Sequence, residues 1–401
     1  MKHFTLLVVF ASALLYLFSC KSKNYRHDEI LSVAVMDTTI EVKISYPENW
    51  TKNDKIIIWS LPPLYDEFFP DSITNKMEVQ ISPILRKALL DSGYVNIEYI
   101  GRNDSVLFMD RKYRASDLNT KATDLESLLD YIKLNNRLKE KKIVLIGNSE
   151  GGVISAIIAG KRRNDFSALL QLATPSFFDI RAMEYQREKT TYPGIELFSG
   201  NQEYMDQSYN RMSSLDSYHT ADIDGYKQFF KENYLPIEKI IYEFENMDSV
   251  YYHIDLYLRD RWQKEDKETK DAYNNNFNFY YHLFAGEITP QQIALKTVKP
   301  EQYYPLIKCP VFAVQGTADN FIDCYPNIER IEQLLKEGGN FNFKKLILEG
   351  YKHILAKWDG GEYYEEDIRY PISVTRKPNP NDGYYVENSV IQKIIEWIDE
   401  Q

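Results

Sequence analysis

The sequence predicts an α/β protein: a mostly parallel central sheet flanked by helices, with a helical insertion. Three observations carry this. Short, wholly apolar runs such as Ile56-Ile57-Ile58-Trp59 mark strands covered on both faces. Such runs alternate with stretches whose apolar residues recur at helical spacing. The alternation stops near Pro175 and resumes after Lys299, with a polar, tyrosine-rich, helix-like segment between them.

Residues 30–61 read as strands, with Ile40, Val42 and Ile44 alternating against charged neighbours as in a half-buried strand. Ser82-Pro83 reads as a helix start, with serine as the cap and proline at the first position, and Gly93 as its end. Residues 94–100 form the next strand. A helix from about Thr120 carries Leu125, Leu128, Leu129 and Ile132 on one face. A strand over 143–146, a small-residue helix over 151–160 and a strand over 169–173 follow. Beyond the insertion come a strand at 311–314, a helix holding Ile328, Ile331, Leu334 and Leu335 and ended by Gly338-Gly339, and a last strand at 346–348. Val390, Ile391, Ile394, Ile395 and Ile398 mark a final helix. The expected division is a leader over 1–19, a core over 20–175, a helical insertion over 176–299 and the rest of the core over 300–401.

The chain's 401 residues suffice for a large core without disulfides or metals. With 48 basic and 59 acidic residues, the net charge is −11. That excludes the basic footprint of a nucleic-acid binder and a polybasic membrane surface. Three cysteines are too few for a disulfide scaffold or a four-cysteine metal site. Cys309 and Cys324 lie beyond opposite ends of the 311–314 strand. At about 3.3 Å per strand residue they stand roughly 20 Å apart, against a reach of about 7 Å for a disulfide. Two unpaired, buried thiols are expected.

Met1-Lys2-His3 followed by an apolar run from Phe4 to Phe18 has the layout of a signal peptide, and the run is shorter than the ~20 residues of a membrane span. Leu17-Phe18-Ser19-Cys20 resembles a bacterial lipobox, which implies cleavage before Cys20 and a lipid on that cysteine. This places the remainder in the cell envelope, facing the periplasm by default. An uncleaved anchor and an ordinary signal peptide are the alternatives.

The chemistry is concentrated at three strand ends. The 143–146 strand runs directly into Gly147-Asn148-Ser149-Glu150-Gly151 and then a helix. A Gly-x-Ser-x-Gly pattern between strand and helix makes a turn too tight for side chains at its flanks, which lifts the serine hydroxyl above the sheet. The Glu150 N–H then sits at a helix N-terminus, where it can face a developing oxyanion. A serine needs a positioned base. Asp319 and His353 each follow the C-terminal end of a strand, the edge where ligands bind in such sheets. His353 would take the serine proton and Asp319 would hold its tautomer. Asp323 is the rival acid. The order Ser, Asp, His suits one fold among those that carry this chemistry.

These residues resemble the α/β-hydrolase superfamily, in particular capped bacterial esterases with a Gly-x-Ser-Glu-Gly-Gly elbow, over roughly 30–175 and 300–401. The Lys308-Cys309-Pro310 lead-in and Gly316-Thr317-Ala318-Asp319 match that pattern around the acid. The resemblance implies Ser149 as nucleophile, Asp319 as acid and His353 as base, with no cofactor and no metal. It departs in two places. Asn148 stands where histidine is commoner. Ser60-Leu61-Pro62-Pro63-Leu64 replaces a His-Gly-like turn, and because proline has no N–H, Leu61 is the expected second oxyanion donor, with Leu64 the alternative. The insertion is expected to cover the site. Its aromatic residues, among them Phe177, Phe178, Tyr251, Tyr252, Trp262, Phe277, Phe279, Tyr280 and Tyr281, either line a substrate surface or form the insertion's own core. The charged stretch 259–270 reads as solvated helix surface.

The activity expected is hydrolysis of carboxylic esters through an acyl-enzyme, on a small ester. A serine peptidase acting on short peptides is the alternative with the same triad. A ligand-binding lipoprotein without catalysis is the alternative of another class.

Overall fold

The computed structural model describes residues 27–36, 38–60, 81–102, 118–178, 180–186, 188–189, 228, 231–232, 235–244, 247–278, 280–281, 298–358 and 384–401. The leader with Cys20, Leu61 with the Pro62-Pro63 loop, and Phe279 lie outside them.

Among the described residues, one sheet holds eight strands: β1 (His27–Val35), β2 (Thr38–Tyr46), β3 (Lys55–Ser60), β4 (Val95–Ile100), β5 (Lys142–Asn148), β6 (Phe166–Leu172), β7 (Val311–Gly316) and β8 (Phe343–Leu348). Their spatial order is β1-β2-β4-β3-β5-β6-β7-β8. Only β2 pairs antiparallel with both neighbours, and every pair from β4 to β8 is parallel. The expected α/β-hydrolase fold is the one found. Every residue of β3 and β7 is buried, as their unbroken apolar runs require. A two-stranded ribbon of β9 (Lys357–Trp358) and β10 (Tyr384–Tyr385) was not legible as a pattern, being only two residues long on each side.

The helices are α1 (Ile81–Asp91), α2 (Leu118–Leu134), α3 (Glu150–Lys161), α4 (Ile180–Gln186), α5 (Leu235–Glu243), α6 (Met247–Lys264), α7 (Lys267–Ala272), α8 (Cys324–Glu337) and α9 (Asn388–Asp399). Side chains alternate along the strands and divide the core into two layers. Ile57, Trp59, Val144, Ile146, Leu170 and Phe312 pack with α1 and α9. Ile56, Ile58, Leu145, Leu169 and Val311 pack with α2, α3 and α8. Each fully buried Leu or Ile here contributes ~1.5–3 kcal/mol. Buried Lys55 donates from Nζ to the carbonyls of Ile398 and Asp399, at 2.8 Å each, which satisfies the end of α9.

One helix start is corrected. Ser82 is not a cap: it lies inside α1, fully buried, and its Oγ accepts a hydrogen bond from Asn148 Nδ2 at 3.0 Å. A local pattern cannot show a partner 66 residues away. The far end is as expected: Gly93 N–H donates to Leu90 O and Tyr94 N–H to Leu89 O, the paired bonds of a Schellman closure. Cys309 and Cys324 are buried and unpaired.

The described residues between 178 and 298 are helical where they are regular. Ile237, Ile241, Val250, Ile254, Leu258 and Tyr280 form a core separate from the sheet layers. Tyr251, Trp262, Phe277 and Tyr281 pack against it, so these aromatics build the segment's own interior. Tyr252 stays exposed. The 259–270 charges pair along the helix surface, as in Arg259–Asp255 and Lys264–Asp260, and the Asp266 side chain caps α7 by accepting from Thr269 N–H.

Candidate active site

β5 delivers its chain into an abrupt turn. Ser149 takes φ 51° and ψ −119°, a strained backbone for a residue with a side chain, costing of order 1–3 kcal/mol. The neighbouring structure holds it there. Ser149 N–H donates to Leu172 O at 2.8 Å, and Ser149 O accepts from Gly152 N–H at 2.9 Å. At Gly147 a Cβ would lie 2.4 Å from Gly151 O, so only glycine lets the turn close. Glu150 is the first helical residue of α3, a position whose N–H has no acceptor within the helix. β3 ends at Ser60, in register with Gly147, so its last residue lies beside this turn.

Two further strand ends meet it. His353 Nε2 lies 3.0 Å from Ser149 Oγ, and His353 Nδ1 lies 2.9 Å from Asp319 Oδ2. Asp319 is 1% exposed, yet each of its oxygens is used. Oδ1 accepts from the N–H groups of Phe321 (2.8 Å) and Ile322 (3.0 Å), and Oδ2 accepts from Gln315 Nε2 (2.6 Å) as well as the histidine. An ionised carboxylate only accepts, so the proton shared with His353 sits on Nδ1 and leaves Nε2 free to accept from a hydroxyl. The loops bearing Asp319 and His353 are pinned together. Thr317 N–H donates to Leu348 O, Ala318 N–H to Tyr351 O and Gly350 N–H to Thr317 Oγ1. A Cβ on Gly316 would lie 2.0 Å from Tyr351 O, so the crossing of these loops also depends on glycine.

The structure therefore brings Ser149, Asp319 and His353 together. The rival acid, Asp323, is exposed at the N-cap of α8. Three contributors were not anticipated. Gln315 braces the Asp319 carboxylate, and its signal was a lone amide closing the apolar run 311–314. Tyr185 donates its hydroxyl to the Asp319 carbonyl at 2.6 Å, and Gln186 donates to the Phe321 carbonyl at 3.1 Å. Burial, then the carboxylates of Asp323 and Asp319, raise the Tyr185 phenol above its ordinary value and keep it a donor. Both residues come from α4, and nothing local in the sequence marks them. Between α4 and the Asp319 loop lies a cavity of about 190 Å³, lined by Phe177, Tyr185, Phe321 and Ile322 among others. The Phe321 ring sits 5.0 Å from that of His353.

In sequence, the prolyl oligopeptidase family matches residues 93–230, a span that includes the Ser149 turn and stops short of Asp319 and His353. That match covers 138 of the 401 residues. No curated protein matches the chain in sequence. Among solved structures it is similar to an esterase of Pyrococcus furiosus at 12% identity, covering 94% of this chain and 91% of the other, with a TM-score of 0.46. It is also similar to Est1E of Butyrivibrio proteoclasticus (13% identity, 92% and 99% covered, TM-score 0.42). A putative dipeptidyl aminopeptidase IV of Bacteroides ovatus is similar at 8% identity, with 95% of this chain and 37% of the other covered and a TM-score of 0.46. Among the described residues, no cluster of three or more His, Cys, Asp or Glu side chains could hold a metal ion, and no helix is long and apolar enough to cross a membrane.

Proposed function

We propose that the chain is an α/β serine hydrolase that cleaves carboxylic esters through an acyl-enzyme on Ser149. The observation that carries this is the unbroken chain of contacts from Ser149 Oγ through His353 to Asp319, at 3.0 and 2.9 Å. His353 Nε2 takes the hydroxyl proton as Oγ attacks the ester carbonyl, then returns it to the leaving alcohol. Water repeats the sequence on the acyl-enzyme. Asp319 holds the histidine tautomer and stabilises the imidazolium. Glu150 N–H and Leu61 N–H are the proposed donors to the oxyanion, each worth roughly a hundred- to a thousandfold in rate. An alkoxide leaves more readily than an amine, so a bare triad suffices for esters. A peptidase also needs a holder for the substrate's amine.

The sequence match to the prolyl oligopeptidase family favours a second reading, a serine peptidase using the same three residues. The 176–299 insertion is proposed as a cap over the site. The bonds from Tyr185 and Gln186 to the Asp319 loop support this, since they tie its first helix to the triad. Lipidation of Cys20 and a periplasm-facing location in the cell envelope complete the proposal.

The test is labelling of the chain with a fluorophosphonate probe beside Ser149→Ala. Labelling of the parent alone supports the nucleophile, and a folded parent that takes no probe overturns it. A panel of p-nitrophenyl esters and aminoacyl anilides then separates esterase from peptidase. Incorporation of labelled palmitate, absent in Cys20→Ala, tests the anchor.

A further inference from the structure

The first residue of α3 is a carboxylate, Glu150, one position after Ser149. A full negative charge there opposes the proposed chemistry. The N-terminal end of α3 carries the positive end of the helix dipole, and an oxyanion forming beside Ser149 draws on that same potential. The fold answers from α2. Lys121 Nζ lies 3.0 and 3.1 Å from the two carboxylate oxygens of Glu150. Lys121 is only 4% exposed, and lysine is almost never so buried unless paired. Asp124, three residues along α2, is fully buried too, but Arg102 occupies it with its backbone N–H at 2.8 Å and Nε at 2.6 Å. The Lys121 charge is thus committed to Glu150.

We propose that Lys121 is a positioning residue for catalysis. It neutralises Glu150 and fixes the first turn of α3, so that the positive end of the helix remains available to the oxyanion. The inference rests on the acyl-enzyme reading above.

The experiment measures steady-state hydrolysis of a neutral p-nitrophenyl ester, together with melting temperature, for the full chain and three variants. Lys121→Met removes the paired cation from Glu150. Its kcat is expected to fall about a hundredfold, or ~2.7 kcal/mol at 1.36 kcal/mol per tenfold, with little change in KM. Lys121→Arg keeps the charge and recovers most of the loss. Lys121→Met combined with Glu150→Gln removes both charges and is expected to regain at least about tenfold over Lys121→Met alone. A merely structural role would lower the melting temperature and leave kcat per folded molecule intact.

The inference is overturned if folded Lys121→Met keeps the parent kcat, or if the double variant is no better than the single. Should Lys121→Met fail to fold, the double variant carries the test, since it buries no unpaired charge. A folded double variant with kcat still about a hundredfold below the parent refutes the proposal. A parent that neither hydrolyses ester nor takes the fluorophosphonate defeats the acyl-enzyme reading itself. An active, labelled parent with an indifferent Lys121→Met defeats this inference alone.

Discussion

Replacing Asp319 by asparagine tests the geometry most sharply, because the surrounding donors dictate how the amide must sit. Oδ1 faces two backbone N–H groups, those of Phe321 and Ile322. An amide NH2 placed there would oppose both and leave buried donors unsatisfied, at ~1–3 kcal/mol each. The amide therefore keeps its oxygen at Oδ1 and puts NH2 in place of Oδ2, facing Gln315 and His353. Gln315 can answer by rotating its own amide to present an oxygen. His353 has no such freedom. Its Nδ1 must now accept, so its proton moves to Nε2, the atom 3.0 Å from Ser149 Oγ. The base then has no lone pair for the serine proton. The expected loss is of order 10⁴ in kcat, or ~5.4 kcal/mol at 1.36 kcal/mol per tenfold, with the melting temperature little changed. Asp319→Ala instead orphans the two backbone donors and lowers stability as well as rate. The assay is ester turnover beside thermal unfolding by circular dichroism. An Asp319→Asn variant retaining more than about a tenth of the parent kcat would refute the tautomer argument, and so would a larger loss on Asp323→Asn.

Three further outcomes are expected. Gly316→Ala places a Cβ 2.0 Å from the Tyr351 carbonyl, a backbone atom that no rotamer change can move, so denaturant unfolding should show a loss of more than ~2 kcal/mol together with reduced turnover. Burial pushes the Asp165 carboxyl up, but hydrogen bonds from Lys133 and Arg162 outweigh this and hold it below its usual value, so the unfolded chain binds more protons near pH 4. The stability it contributes is complete above the unfolded carboxyl's value near 4 and drains away as pH falls through the folded one. Asp165→Asn should therefore cost ~1 kcal/mol at pH 7 in urea unfolding and progressively less below pH 4, and a deficit constant with pH would contradict this. Burial raises the Cys309 thiol to about 12, and burial followed by the Asp319 and Asp323 carboxylates raises Cys324 to about 11. In a Cys20→Ser background neither should react with a disulfide reagent at pH 8 until the protein is unfolded.

Much of the fold was readable because its signals are local. The runs 56–59, 143–146 and 311–314 are apolar on both faces, and only a strand inside a covered parallel sheet needs that. The turn at Ser149 was readable for the same reason, since its flanking glycines answer a steric demand within five residues. Ser82 shows where such reading fails. Ser-Pro before a helical run is a sound start signal, yet its serine is buried in α1 and serves Asn148 in the elbow. The helix N-terminus was assigned on propensity, and a tertiary hydrogen bond decided otherwise.

The sequence by itself determined the order of strands and helices along the chain and the three strand ends that carry serine, aspartate and histidine. These follow from periodicity and turn sterics, which act between near neighbours. The tertiary structure alone decided between Asp319 and Asp323, because that choice depends on which carboxylate meets His353 when two loops cross at Gly316. It alone brought Gln315, Tyr185 and Lys121 to the triad acid and the elbow. A side chain's partner across the sheet edge is fixed by the packing of whole elements, and that information is spread over hundreds of residues rather than written beside either one.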